Sequence, residues 1–309
     1  MNVTLRQLRA FIAVARAGSV TEAALRLHIT QSALSGLIKD LESNLGVQML
    51  HRTTRKLQLS SAGEVFLPMA ERILQDLGMA LDAVSDLREL RTGTVRIAVP
   101  QVMACTVMPE IMAAFARKYP GIRVRLQDSM VESVLGRLIN GDVDLAIGPE
   151  RDAPANVVAR TLFTLPFLAV LPPGHPLTKK QRVAWSDLVR YPVISLQGEY
   201  TKLLSAELYA SPGRLEFSPT HEVAFLTTAL SMVEHGLGVT TCLPYAGELL
   251  QRQKLEFRPL VTPVLSRKFQ VWLNKDRGLS PSAQEFLDFL LQHIEDHPAP
   301  EVRAFRKAR

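Results

Sequence analysis

Ser19-Val-Thr-Glu-Ala-Ala-Leu-Arg-Leu-His-Ile-Thr-Gln-Ser-Ala-Leu-Ser-Gly-Leu-Ile-Lys-Asp-Leu-Glu42 is followed by Leu45-Gly-Val47 and by Arg52-Thr-Thr-Arg-Lys-Leu-Gln-Leu-Ser-Ser-Ala-Gly63. Ser19 with Glu22 three residues on has the spacing of a capping box and opens a short helix. Ala23, Ala24 and Leu27 let that helix lie close to its neighbours, and His28-Ile29 make a turn. Thr30 caps a second helix from its hydroxyl, running from Gln31 to about Asn44. In it Leu34, Ile38, Leu41 and Leu45, spaced four, three and four apart, face a core.

Upstream, Leu5, Leu8, Phe11, Ile12 and Ala15 form one apolar stripe, so a helix is predicted from Leu5 to about Arg16. Downstream, His51 to Leu59 alternates about a cluster of Arg52, Arg55 and Lys56, the pattern of a small basic hairpin. Three helices and such a hairpin make a winged helix-turn-helix. The face of the third helix turned away from the core carries Gln31, Ser32, Ser35, Gly36 and Lys39 near its N-terminus, where a recognition helix meets the major groove. Thr30, Gln31, Ser32, Ser35 and Lys39 are therefore the candidate groups for base and adjoining phosphate contacts. Arg52, Arg55 and Lys56 are candidates for clasping phosphates, which sets register without reading bases.

Charge agrees with this placement. The whole chain of 309 residues has a formal net charge of +6. Met1 to Ser60 holds eight Lys/Arg against three Asp/Glu, whereas Ser61 to Thr92 holds three against six. A positive head is what a phosphate-binding module needs. The tail 301–309 is again basic, with four Lys/Arg against one Glu.

The pattern Phe11, Gly18-Ser19, Ala23-Ala24, Leu27, Gln31-Ser-Ala-Leu-Ser35, Ile38, Leu41-Glu42, Leu45-Gly-Val47, Arg52, Leu59, Ala62-Gly63 resembles the N-terminal domain of LysR-type transcriptional regulators. Three positions depart from the family. Gly36 stands where an Arg very often follows the Ser, Met49-Leu50 replaces the common Leu-Phe, and His51 replaces a common acidic residue before Arg52. Loss of the Arg removes one contact to DNA and shifts recognition toward Gln31, Ser35 and the wing.

Ser61 and Glu64 suggest another capping box, opening a long helix to about Leu90. Phe66, Ala70, Ile73, Leu77, Ala80, Leu81, Val84 and Leu87 keep a near-heptad spacing, which suits a helix that pairs with another. The resemblance implies an antiparallel dimer helix, a homodimer or homotetramer, and double-stranded DNA with a pseudo-palindromic site as partner. Its domains would be 1–60 (DNA-binding), 61–92 (linker helix), 93–300 (effector-binding) and a basic tail, 301–309.

After Gly93 the pattern changes to strands alternating with helices, an α/β signature with parallel βαβ units. Strands are predicted at Val95–Val99, Arg123–Leu126, Asp144–Ile147, Leu165–Leu171, Pro192–Leu196, Val239–Leu243 and Phe269–Leu273. Helices are predicted at Met108–Lys118, Val131–Asn140, Thr201–Tyr209, Phe225–His235 and Pro281–Ile294. The last strand and helix read as a return to the first block. This gives two lobes, about 93–163 with 268–295, and 164–267, with a cleft between them. Leu138-Ile-Asn-Gly-Asp-Val-Asp-Leu-Ala-Ile-Gly148, His175-Pro-Leu177 and His235-Gly-Leu-Gly-Val239 are similar to the family's effector domain, which has the fold of type 2 periplasmic binding proteins.

That fold binds ligands where strands end and helices begin. The corresponding segments are Pro100 to Thr106, Asp128 to Met130, Gly148-Pro149, Gln197 to Thr201, Val223 to Phe225 and Thr240 to Cys242. The family usually holds a carboxylate with a Ser or Thr of the first segment. Here Gln101 is the first candidate and Thr106 the second, with Ser129 and Thr201 donating from the opposite lobe and Met103, Met130 and Phe225 forming an apolar wall. The expected ligand is a small organic anion, and RNA polymerase is the partner that the resemblance adds.

Cys105 and Cys242 have neither metal-knuckle nor CxxC spacing, and no cofactor or metal is expected. No nucleophile elbow or His-x-x-x-His motif points to an enzyme. No signal peptide or membrane span is read, so a cytoplasmic location is expected. The alternative left open is a regulator that needs no effector or senses through a thiol.

Overall fold

A computed structural model of the chain describes residues 2–52, 57–88 and 93–297. It divides into two compact units, Met1–Ser85 with Asn140–Asp142, and Asp86–Ile139 with Val143–Arg309.

In the first unit α1 (Leu5–Ala17), α2 (Val20–Arg26) and α3 (Gln31–Leu45) precede an antiparallel hairpin of β1 (Leu50–Arg52) and β2 (Leu57–Leu59), and α4 (Ser61–Arg88) follows. Thr4 and Gln7 form a full capping box at α1. The core-facing stripe of α1 is Leu8, Ala10, Phe11 and Val14, which are buried, whereas Leu5 is 43% exposed. Ser19 caps α2 by accepting from the Glu22 N–H at 3.4 Å. The reciprocal half of the expected box is not formed, because the Glu22 carboxylate pairs with Arg26 one turn on. His28 takes a left-handed conformation in the turn, and Leu34, Ile38 and Leu41 are buried as expected.

The cap of α4 is Ser60 rather than Ser61. Its Oγ accepts from the Gly63 N–H at 3.0 Å and donates to the Gln48 carbonyl at 2.7 Å, tying the helix start to the hairpin. Gly63 is required there, since a Cβ would lie 2.2 Å from the Met49 carbonyl oxygen. The apolar pattern of α4 splits between two faces. Phe66, Leu67, Ala70 and Leu74 pack on the core of the head, while Val65, Met69, Ile73 and Leu81 are exposed. The side chains of Val84 and Leu87 lie outside the described residues.

The second unit holds two mixed sheets. In chain order it contains β3 (Gly93–Pro100), α5 (Gln101–Thr106), α6 (Met108–Lys118), β4 (Ile122–Ser129), α7 (Val134–Asn140), β5 (Leu145–Pro149), β6 (Val157–Pro166), β7 (Leu168–Leu171), β8 (Val183–Ala184), α8 (Trp185–Leu188), β9 (Val193–Leu196), α9 (Glu199–Ala210), β10 (His221–Val223), α10 (Leu226–Glu234), β11 (Val239–Cys242), α11 (Gly247–Arg252), β12 (Glu256–Val261), β13 (Ser266–Asn274) and α12 (Pro281–Asp296). One sheet has the order β4-β3-β5-β13-β6, the other β10-β9-β11-β7-β12-β8.

β13 pairs antiparallel with β5 and β6, so the chain does return to its first block. Two expectations change. Leu165–Leu171 is not one strand: β6 ends at Pro166 in the first sheet and β7 begins at Leu168 in the second, with Phe167 between them bonded to the Leu260 and Leu265 backbones. The ten residues of β6 start at Val157, ahead of the predicted strand, because the half-exposed Val157–Phe163 stretch shows no strong apolar run. The core of this unit is aromatic: the buried Phe115 ring lies 4.9 Å from Phe286 and 5.3 Å from Phe289, joining α6 to α12. No helix among the described residues is long and apolar enough to cross a membrane.

Candidate DNA interface and effector cavity

The N-terminus of α3 presents its polar residues outward. Thr30 accepts from the Ala33 N–H at 3.2 Å, and its Oγ1 lies 3.1 Å from Ser32 Oγ. Gln31, Ser32, Gly36 and Lys39 are exposed and Ser35 is half-buried. Among the described residues Lys39 makes no ion pair, whereas Arg16 and Arg26 are held by Glu71 and Glu22. The space beside Gly36 is open, with nothing within 4 Å of an added Cβ, so α3 offers a smooth surface where a long side chain would project.

Glu42, which the sequence shows only as one step of the family pattern, positions the wing. Its carboxylate accepts from the Met49 and Leu50 N–H groups at 2.8 and 3.1 Å, locking the first hairpin strand to the recognition helix. Arg52 lies on β1, and its side chain, with Arg55 and Lys56, lies outside the described residues. The basic tail lies outside them too.

In the second unit a cavity of about 50 Å³ opens between the two sheets. Its lining includes Gln101, Ser129, Met130 and Phe225, so four expected residues come together. Gln101 accepts from the Thr227 hydroxyl of α10 at 3.4 Å, a bond that crosses from one lobe to the other. Ser129 ends β4, whose neighbour β3 leads directly into Gln101, so it shares the lobe of Gln101 rather than facing it.

Two expected donors do not reach the cavity. Residues 101–106 form a helix, not a loop, which turns Thr106 well over 100° away from Gln101. Its hydroxyl donates to the Val102 carbonyl at 2.8 Å. Thr201 is buried inside α9, where its hydroxyl bonds Leu196 O and Ser195 Oγ. Met103 is likewise in the core and not on the cavity wall.

Tyr200 and Thr241 lie in segments the sequence reading named, though not as donors, and the group it missed is Arg267. Arg267 is 6% exposed and lies on β13. Its Nη1 meets the two Glu207 oxygens at 3.0 and 2.8 Å, and its guanidinium carbon stands 4.8 Å from the Phe167 ring centre. Among the described residues Nη2 is buried with no hydrogen-bond partner, and the residue borders the cavity. A buried donor of a cation left unpaired is costly, so a site of this kind favours an anion. Burial pushes the Tyr200 phenol up to about 12, with the nearby Arg267 charge opposing the rise. At neutral pH Tyr200 is therefore an O–H donor. Cys242 also lines the cavity, and burial pushes its thiol pKa up, so it is held protonated. Cys105 is exposed on α5. Among the described residues no cluster of three or more metal-ligating side chains occurs.

Comparison with known proteins matches both halves of the chain to one family. Residues 5–64 match the family model of the bacterial regulatory helix-turn-helix protein, lysR family, and residues 88–295 match that of the LysR substrate binding domain. The chain is 30% identical over 293 residues to the uncharacterized HTH-type transcriptional regulator YbhD of Escherichia coli (strain K12), covering 94% of this chain and 92% of that one. It is 30% identical over 287 residues to a probable hydrogen peroxide-inducible genes activator of Mycobacterium avium, covering 91% of each. The fold resembles full-length CbnR in complex with its target DNA, at TM-score 0.76 and 20% identity over 94% of this chain and 99% of CbnR. With a recognition helix in the first unit, an interlobe cavity in the second and both family models matched, the chain belongs to the LysR family of DNA-binding transcriptional regulators.

Proposed function

We propose that this regulator reads a pseudo-palindromic double-stranded DNA site through Thr30, Gln31, Ser32, Ser35 and Lys39 of α3, with Arg52, Arg55 and Lys56 of the wing on phosphates, and that a small organic anion in the interlobe cavity sets its output. The observation that carries the effector reading is the unpartnered Nη2 of Arg267 at the cavity wall. Ser129, Tyr200 and Thr241 add hydroxyl donors, Gln101 adds an amide, and Met130 and Phe225 add apolar wall. An anion there must bind one arrangement of the protein better than another to change DNA binding.

The boundaries that follow are 1–60 for the DNA-binding head, 61–92 for the linker helix and 93–300 for the effector domain, in a cytoplasmic homodimer or homotetramer that recruits RNA polymerase and catalyses nothing. The exposed Val65, Met69 and Ile73 of α4 support pairing with a second copy, since apolar residues at four-residue steps form a seam. Two heads so joined meet half-sites about one DNA turn apart, or a multiple of it.

The peroxide-linked name of the Mycobacterium avium relative raises a thiol-sensing reading. The protonated state of Cys242 speaks against a role for that thiol, because the thiolate is the reactive form, so this reading rests on the exposed Cys105. The test is thermal unfolding of the full chain against small organic acids, amino acids and aromatic carboxylates. A ligand at about a hundred times its dissociation constant adds about 2.7 kcal/mol. A saturable rise in Tm with a carboxylate, lost in Arg267→Met, supports the reading. A rise of equal size in Arg267→Met, or none with any anion, overturns it.

A further inference from the structure

A second cavity, of about 270 Å³, lies in the same unit and is several times larger than the one bordered by Arg267. Its walls come from both lobes: Thr106, Glu110 and Ile111 with β6 and the end of α12 on one side, and Pro244, Glu248 of α11 and Phe257 of β12 on the other. The two cavities share Tyr245 alone among their lining residues. Tyr245 meets Phe269 at 5.5 Å edge to face, and Phe269 stacks on Phe163 at 5.3 Å. These three rings form the partition between the cavities.

The charge of the second cavity is one-sided. Glu110 and Glu248 line it, and among the described residues no Lys or Arg does. Glu248 has only a 3.9 Å pairing with Arg252, and both side chains are well exposed, so that contact is weak. Besides Tyr245, the remaining titratable groups are His293 and His297, stacked on each other at 4.4 Å. Burial lowers the His293 pKa, and the His297 charge lowers it further against the opposing pull of Glu110 and Asp296, so His293 is neutral at pH 7. The floor is apolar and aromatic, with Ile111, Phe163, Tyr245, Phe257 and Ile294.

We propose that this cavity is a second small-molecule site, which takes an organic ammonium ion with an aromatic or short apolar body and holds its charge between Glu110 and Glu248. The apolar body gains from leaving water, and the ammonium gains from two carboxylates and from the ring faces beside it. The opposite charge preference separates it from the anion site. Because the two carboxylates stand on different lobes, an ammonium between them bridges the interlobe seam. Thr106, expected at the effector loop, lines this cavity instead.

The test is saturation-transfer NMR on the full-length protein with 2-phenylethylamine, and competition by its neutral analogue 2-phenylethanol and its anionic analogue phenylacetate. The expected result is saturable amine binding that neither analogue displaces at equal concentration. Glu110→Gln with Glu248→Gln, both exposed and safe for folding, should weaken it at least about tenfold. Binding that survives the double substitution unchanged, displacement by phenylacetate, or no saturable amine binding below about 10 mM overturns the proposal. Filling the cavity with Val107→Phe gives an independent reading: amine binding should be lost while the melting transition stays cooperative.

Discussion

Arg267 and Glu207 form an ion pair in which one guanidinium nitrogen, Nη1, spans both carboxylate oxygens, and Nη2 is left buried at the cavity wall with no hydrogen-bond partner among the described residues. The pair joins β13 to α9 through two residues 60 positions apart in the chain. Glu207 is about a third exposed and Arg267 almost fully covered, so the cost of losing the carboxylate falls on the arginine. Glu207→Ala should destabilise the effector domain by about 1–3 kcal/mol, read by urea unfolding. It should also tighten binding of a carboxylate, because the competing anion is gone. Weaker carboxylate binding in that variant would mean that Glu207 positions Arg267 rather than competing for it.

At the head, Gln31→Ala or Ser35→Ala should relax sequence preference, with about 1–3 kcal/mol lost at one cognate base. Lys39→Ala should weaken binding to all sequences alike and reduce the salt slope by about one. Fluorescence anisotropy at several salt concentrations, on cognate and scrambled duplexes, separates the two behaviours. A Lys39→Ala protein with an unaltered slope would remove Lys39 from the phosphate contacts.

The junction of wing and linker helix should be sensitive to very small changes. Ser60→Ala removes a cap and a bond to Gln48, costing about 1 kcal/mol. Gly63→Ala places a methyl 2.2 Å from the Met49 carbonyl oxygen and 3.0 Å from Leu59. Relief requires backbone movement, so about 1–3 kcal/mol is expected. Chemical denaturation monitored by helix signal should rank Gly63→Ala at or above Ser60→Ala. The reverse order would show that the hairpin yields easily.

Stability should depend on pH through His175. Its Nδ1 accepts from the Leu177 N–H at 3.3 Å and its ring meets Tyr191 edge to face at 4.4 Å. Burial lowers its pKa below 6.5. The unfolded chain then binds the proton more readily, so stability is full above 6.5 and falls as pH drops toward the folded-state value, below which it levels off. His293 is lowered in the same sense. Tm measured across this range should fall on acidification, and His175→Gln should flatten part of the slope. A slope identical in wild type and His175→Gln would clear His175 of the effect.

The head was legible in the sequence almost to the residue. The limits of α1 and α3 and the buried Leu34, Ile38 and Leu41 follow from caps and three-to-four spacing, which act within one or two turns. The errors there were also local: Ser60 rather than Ser61 caps α4, because only the folded hairpin brings the Gln48 carbonyl to its hydroxyl. In the effector domain most strands and helices were legible, and Gln101, Ser129, Met130 and Phe225 do meet at one cavity. Thr106 and Thr201 were misassigned because each is satisfied within its own helix or by the strand next to it.

Local periodicity and capping thus determined the element types, the winged head and the α/β alternation, since these depend on neighbours a few residues apart. The tertiary structure alone decided which polar groups face the ligand. Arg267 falls just ahead of the predicted strand Phe269–Leu273 and reads in the sequence as an ordinary cation. It becomes a site residue only because β13 crosses back into the first sheet and carries it against Glu207, Phe167 and the interlobe cavity. Long-range pairing of this kind leaves no mark on the spacing of nearby residues.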